Sequence, residues 1–391
     1  MNNRNLWLLA LSQIFGFSTA TVNVFLSGII GSQLVSIKSF ATLPPTIFII
    51  GTAICTVFAS YIMSKFGRKF GFISASIVSS LSSLLAAYSI NVESFILFCI
   101  SCLLMGMGLA FVHQYRFAAT ESVDKEKIPK AVSIILLAGI LSAFIGLNIA
   151  NLSKDLIIDH LYVGSYLSLA CLAILPAILL IFFKNIDKSE ENRSFQGRSY
   201  KELILQPRFL QAVVASAFAY AIMAFLMTAT PISMHINEKF SLNETGIVLQ
   251  WHIVGMFLPS LITGRLIQKY GHSIIMYCGI FFFLISFLIG YFDQTFLNYL
   301  ISLIFLGMGW NFLFISGTSL LVIAYRPEEK YKAQGFNDLT VFSTQALGAL
   351  SAGFLLDITS WQTINLICLP FLVIIAFVVA RADVMETKKN V

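Results

Sequence analysis

The sequence predicts an all-α membrane protein whose twelve transmembrane helices form two pseudo-symmetric six-helix bundles. Three observations carry that prediction. Hydrophobic residues make up 58% of the 391 residues and charged residues only 11%, against roughly 25% charged in soluble domains. Apolar runs of membrane-spanning length follow one another with short connections. A basic turn also occurs twice, at 60–69 (SYIMSKFGRK) and at 264–273 (GRLIQKYGHS), each copy lying between two such runs. A turn repeated at the same place in two halves implies that the halves share one plan.

A membrane helix needs roughly 20 mainly apolar residues. By that measure the first six spans fall near 6–28, 42–63, 71–90, 95–117, 131–151 and 163–183. The second six fall near 209–233, 245–267, 273–292, 296–323, 334–356 and 362–380. Span 1 follows only Arg4, exceeds a secretory signal core in length and lacks a convincing cleavage site, so it is expected to stay in the membrane. Residues 184–208 are the one longer polar connection. They read as a solvated linker between an N-terminal half (1–183) and a C-terminal half (209–381), with a short interfacial helix near 200–205 and a polar tail at 382–391.

Orientation follows from the basic residues. With both termini in the cytoplasm, 22 of the 25 Lys and Arg fall on that side or its boundary. Only Lys38, Lys154 and Lys239 are left outside, where Glu93, Asp155, Asp159 and Asp293 also lie. The net charge of +6 is therefore a topology signal and not a nucleic-acid one. A multi-pass protein of the cell (inner) membrane, working as a monomer, is the expectation. All six cysteines sit in apolar runs, and Cys99 and Cys102, though spaced C-x-x-C, read as small packing residues.

Twelve spans in two halves, with a Gly-basic turn between spans 2 and 3 and again between spans 8 and 9, resemble the major facilitator superfamily over essentially the whole chain. The family's turn is G-x-x-x-D-[RK]-x-G-[RK]-[RK]. Lys65, Gly67, Arg68 and Lys69 match it in the first copy, and Gly264, Lys269 and Gly271 in the second. Ser60 and Ser64 replace the first copy's leading glycine and acid; Gln268 and His272 stand at the second copy's acid and first basic positions. Met105-Gly106-Met107-Gly108 in span 4 answers Leu306-Gly307-Met308-Gly309 in span 10. Lys130-Ala131 opens span 5 as Lys332-Ala333 opens span 11, and Gly146 aligns with Gly348.

The resemblance implies the major facilitator fold, with spans 1, 4, 7 and 10 around a central cavity. It also implies a turn acid that helps hold the halves together near the start of span 11. That acid is missing from both copies, so the latch is expected to use other groups. The antiporter signature of span 5, a glycine run ending G-P-x-x-G-G, is absent too: Gly139 and Gly146 remain, followed by Leu147. Residues 113–119 with Glu121 resemble a motif of a poorly characterised bacterial subgroup.

Ionisable groups within spans mark pathways or locks. The candidates are His113 and Arg116 in span 4, His252 in span 8 and Asp338 in span 11. Cys102, Gly106, Leu109, His113, Arg116 and Thr120 recur at spacings of three and four and share a helix face. Two readings stand for that face: substrate contacts on a cavity wall, or Arg116 snorkelling to the interface with His113 in a packing contact. Span 1 carries a second face, Gln13, Gly16, Ala20, Asn23 and Ser27, and span 10 a third, Gly307, Asn311 and Thr318, with Trp310 beside it. A wet cavity wall and tight helix packing explain both faces equally.

In span 8, Gln250-Trp251-His252 offers an aromatic and two hydrogen-bonding groups to an organic solute, the alternative for Trp251 being an interfacial belt. Asp338 shares a face with Gln334 and Gln345, roughly 9 Å inside the end of span 11 by the helical rise. A lone acid there must pair or protonate. Pairing with Arg116 makes a lock between the halves; protonation couples transport to protons.

These features predict a secondary transporter moving a small organic solute by alternating access. The cations of span 4 lean towards an anionic metabolite or a carboxylate siderophore. Competing readings are export of drugs or other hydrophobic compounds, and a transporter-like receptor that does not turn over. The sequence offers no metal-ligand cluster, phosphate-cradling glycine loop or nucleophile–base set, so no enzyme activity, cofactor or metal is expected. The expected partners are the solute, the bilayer and, under the coupled reading, protons.

Overall fold

The computed structural model describes residues 4–37, 40–123, 128–157, 159–185, 198–326 and 329–387. The side chains of Ser60, Ser64, Thr120, Glu121, Lys130 and Gln334, along with Lys38, linker residues 186–197 and tail residues 388–391, lie outside the described set. Span 1 runs Arg4–Leu34, span 2 Leu43–Phe66, span 3 Arg68–Asn91, span 4 Phe95–Val112 continuing as Tyr115–Glu121, span 5 Ile128–Leu152 and span 6 Val163–Leu180. Span 7 runs Pro207–Asn237, span 8 Leu242–Tyr270, span 9 His272–Tyr291, span 10 Phe296–Ala324, span 11 Lys330–Ile358 and span 12 Trp361–Glu386. Eleven stretches among the described residues are long and apolar enough to cross a membrane; span 2 adds the shorter apolar stretch Leu43–Thr56. Helix is what such sequences must form in lipid, because every backbone polar group needs an internal partner there. The end of the bundle carrying the linker and the tail is called the linker face below, and the opposite end the far face.

The repeated basic turn is a one-residue joint. Only Gly67 separates Phe66 from Arg68, with φ +84° and ψ 158°, and only Gly271 separates Tyr270 from His272, with φ +84° and ψ 163°. Side chains rarely tolerate that backbone, so both copies need glycine. Lys65 Nζ stands over the Phe66 ring at 5.4 Å and Lys269 Nζ over the Tyr270 ring at 4.9 Å. Each lysine also lies in the last turn of its helix, where exposed carbonyls attract a cation. Lys-aromatic-Gly is thus one structural unit built twice. Span 3, expected from 71, begins at Arg68 because the joint consumes a single residue.

Glycines of spans 4 and 10 set the packing inside each half. A Cβ added at Gly106 would strike the Phe48 carbonyl of span 2; one at Gly307 would lie 2.5 Å from the His252 carbonyl of span 8. Gly51 meets the Leu103 carbonyl from the opposite side, as Gly255 meets that of Ile304. Backbone therefore lies on backbone. In lipid, where apolar side chains gain little by burial against each other, such close contact holds helices together. Gly146 packs on the Thr21 side chain of span 1 and Gly348 on the Ala221 carbonyl of span 7, so these matched glycines meet equivalent spans in the two halves.

At the linker face, spans 1, 3 and 6 are tied by amides. Asn5 exchanges hydrogen bonds with the Lys184 backbone at 2.9 and 3.1 Å, and Asn185 Oδ1 accepts from the Lys69 backbone N–H at 2.9 Å. Spans 7, 9 and 12 are tied by charge instead, Arg208 reaching Asp383 at 2.8 Å, Ser273 at 3.1 Å and Glu386. Where the described chain resumes after the sixth span, Arg198 grips Glu329 with Nε at 2.8 Å, Nη2 at 2.7 Å and its backbone N–H at 2.9 Å. The buried Glu329 carboxyl is held down to about 2 by these hydrogen bonds and stays ionised. Ser199 and Glu202 form a capping box that starts the short helix Tyr200–Leu205.

Alanine in place of a helical glycine normally favours the helix by about 1 kcal/mol. At Gly106 the clash with a backbone carbonyl outweighs that gain, since overpacking costs about 1–3 kcal/mol even where neighbours are side chains. Gly106→Ala should therefore lower the melting temperature of purified protein by several degrees, whereas Gly335→Ala, whose Cβ meets nothing within 4 Å, should not. Equal melting temperatures for the two variants would remove glycine contact as the packing determinant.

Candidate substrate cavity

Between the halves lies a cavity of about 180 Å³. It reaches from Pro45 and Thr228, towards the far face, to Gln13 and Arg116, towards the linker face. Aromatic rings and aliphatic side chains make up most of its wall. Phe17 meets His113 at 6.1 Å between centroids, His113 meets Phe342 at 6.1 Å, and Phe342 meets Tyr220 at 6.3 Å. Tyr220 meets Trp310 at 5.1 Å, Trp310 meets Phe257 at 6.1 Å, and Phe257 returns to Phe17 at 6.1 Å. These contacts close a collar of six rings drawn from spans 1, 4, 11, 7, 10 and 8. Trp310 is backed by Phe314, stacked on it at 5.0 Å. Most of the pairs are edge-to-face, the arrangement that the ring quadrupole favours.

Of the residues singled out in the sequence, Gln13, Asn23, His113, Arg116 and Trp310 line this cavity. Asp338 is half-buried, accepts a hydrogen bond from Asn337 Nδ2 at 3.1 Å, and lies within electrostatic range of Arg116. The Tyr220 hydroxyl is within range of both charges. Gln345, on the same helix, also faces the cavity. The single face expected along span 4 is interrupted, because the helix breaks after Val112 and restarts at Tyr115. Span 1 is likewise offset by a wide turn at Asn23–Ser27, which helps tie Asn23 into span 4: its Oδ1 accepts from Cys102 Sγ at 3.3 Å.

Three expected cavity residues are placed elsewhere. Gln250 donates from Nε2 to Asn148 Oδ1 at 3.1 Å, joining span 8 to span 5 across the halves. His252 is fully buried against span 10, with Nδ1 2.7 Å from the Leu303 carbonyl. Asn311 braces a break in span 8. The helix is interrupted at Leu258-Pro259, which frees the Met256 carbonyl, and Asn311 Nδ2 donates to it at 2.6 Å while Oδ1 accepts from Thr263 at 2.7 Å. Trp251 lies on the outer surface, 46% exposed. Sequence reasoning missed Phe17, Tyr220, Phe257, Phe314 and Phe342. The chain has 36 phenylalanines, so a ring at a given position carries no signal until the helices are packed.

The far face is closed between the halves. Thr42 Oγ1 accepts from the Gly353 backbone N–H at 3.1 Å, and the Gln250–Asn148 bond lies on the same side of the collar. Spans 5 and 8, and spans 2 and 11, pack against each other across the interface. Of the basic-turn residues, Gly264 and Gly271 have nothing within 4 Å of an added Cβ, while Gly67 packs against Asn185.

The Major Facilitator Superfamily model matches residues 6–249 and, in a second overlapping match, 212–390. The riboflavin transporter RfnT of Brucella anthropi (strain ATCC 49188) is 34% identical over 376 residues, 95% of this chain and 94% of that protein. The uncharacterized MFS-type transporter YddS of Bacillus subtilis (strain 168) is 25% identical over 380 residues, 93% of this chain and 87% of that protein. Among solved structures, nucleoside transporter NupG superposes with a TM-score of 0.71 at 17% identity, covering 98% of this chain and 99% of that one. A bacterial homologue of the human lysosomal transporter Spinster gives 0.74 at 13% identity, covering 97% and 96%. These two share the fold. With two halves that repeat the same glycine contacts around a central cavity, the chain belongs to the Major Facilitator Superfamily of multi-pass membrane transporters.

Proposed function

We propose that this transporter moves a flat, aromatic solute of the flavin class by alternating access around the midplane cavity. The observation that carries this reading is the collar of rings, whose members all line the cavity and can pack on a planar ring system. The riboflavin transporter similar along nearly the whole chain supports it. Residues 184–208 serve as the linker between halves 1–183 and 209–381, the linker face looks into the cytoplasm, and the carrier works as a monomer. A second reading, an anionic solute, is favoured by Arg116 on the cavity wall. Proteoliposomes holding unlabelled riboflavin should accumulate labelled riboflavin by counterflow, with small carboxylates competing weakly. Counterflow of a labelled carboxylate, with no riboflavin counterflow, would replace the flavin reading with the anionic one.

Arg116 and Asp338 are the proposed lock between the halves, standing in for the acid that the basic turn lacks. Their opposite charges come from spans 4 and 11 and lie within electrostatic range of each other. Arg116→Asp and Asp338→Arg should each reduce counterflow by tenfold or more, and the double exchange should restore a substantial part of it. A double variant as inactive as either single one would sink the pairing. If Asp338 instead carries protons, Asp338→Asn should keep counterflow and lose pH-driven accumulation.

A further inference from the structure

Among the buried polar atoms of cavity-lining residues, the Trp310 indole N–H and the Gln13 carbonyl oxygen Oε1 have no hydrogen-bond partner among the described residues. Trp310 is 4% exposed and Gln13 9% exposed, and both line the cavity. One is a donor only and the other an acceptor. A buried polar group left unmade is costly, which is why nearly all such groups in native proteins are paired. A solute that brings the complementary pair, a donor for Gln13 and an acceptor for Trp310, satisfies both atoms.

We infer that Gln13 and Trp310 read the amide edge of a flat heterocycle, an N–H adjacent to a ring carbonyl, while the collar takes its rings. This deepens the flavin reading above and rests on it. The pyrimidine-dione edge of an isoalloxazine has that pattern: Gln13 Oε1 accepts from the ring N–H, and the Trp310 N–H donates to a neighbouring ring carbonyl. A carboxylate presents acceptors only, so it satisfies Trp310 and leaves the Gln13 carbonyl oxygen without a donor. Gln13 stands on span 1 and Trp310 on span 10, so a solute that satisfies both bridges the two halves.

The test compares riboflavin with 3-methylriboflavin, in which a methyl group replaces the ring proton, as competitors for labelled riboflavin counterflow in proteoliposomes. Wild-type protein should favour riboflavin by about 10-fold, the scale of one lost hydrogen bond beside an unpaired buried acceptor. Gln13→Leu should reduce that ratio to near one by weakening riboflavin. Trp310→Phe, which keeps a ring and removes the N–H, should weaken both compounds by about 10-fold and leave their ratio intact. A purely structural role for either residue would lower activity without changing the ratio in this pattern. Counterflow of riboflavin with no preference in wild-type protein, or a full preference surviving in Gln13→Leu, overturns the inference and leaves the flavin reading standing. If Gln13→Leu does not fold, the wild-type ratio and Trp310→Phe decide the matter. No riboflavin counterflow in wild-type protein removes both.

Discussion

Where Gly106 lies on the Phe48 carbonyl and Gly307 on that of His252, two helices in each half come as close as backbones can. The rest of the molecule depends on that contact. In lipid there is no hydrophobic gain from one apolar helix covering another, so the advantage goes to pairs whose small residues permit dense van der Waals contact. Spans 4 and 10 are held this way against spans 2 and 8, with Gly51 and Gly255 closing the same joints from the other side. Their other faces are then free to line the cavity with His113 and Arg116 in one half, and Trp310 and Phe314 in the other. Cavity shape is thus a consequence of glycine placement.

Motion between the halves must remake the contacts between them, and few of the ring contacts are among these. Only two links of the collar cross from one half to the other, Phe17–Phe257 and His113–Phe342; the remaining rings belong to the C-terminal half and move with it. Aromatic pairs are worth about 0.5–1.5 kcal/mol each, so breaking both costs no more than the few kcal/mol that separate interconverting states. At the far face the links are hydrogen bonds, Thr42 with Gly353 and Gln250 with Asn148. Each is worth about 1 kcal/mol net. A carrier must break and remake its gates every cycle, and these magnitudes suit that demand.

The architecture was legible because it repeats: the basic turn recurs with the same backbone, the paired G-x-G stretches recur with the same close backbone contacts, and the glycines of spans 5 and 11 meet equivalent spans. Charges stand out in an apolar chain, which is how Arg116 and Asp338 were found. Polar residues at helical spacing were less decisive, since the same pattern serves a cavity wall and a helix joint. Gln13 turned out to line the cavity, while Asn311 serves a break at Pro259 and His252 a seam between spans 8 and 10. Sequence also gave no warning of the break in span 4 or the wide turn in span 1, both of which shift the helix face that periodicity assigns. The collar was invisible for a different reason. Its rings come from six spans, and only tertiary packing tells them from the many rings facing lipid, such as Phe281 and Phe377.

The central claim, that a flat ring system sits within the collar, is open to direct measurement. Flavin fluorescence is quenched when the isoalloxazine stacks closely on Trp or Tyr, and Trp310 and Tyr220 both line the cavity. Titrating riboflavin with purified protein in nanodiscs should give saturable quenching that is lost in a Trp310→Leu, Tyr220→Leu variant of unchanged melting temperature. Riboflavin fluorescence that stays unquenched by folded wild-type protein at saturating concentration would contradict the account.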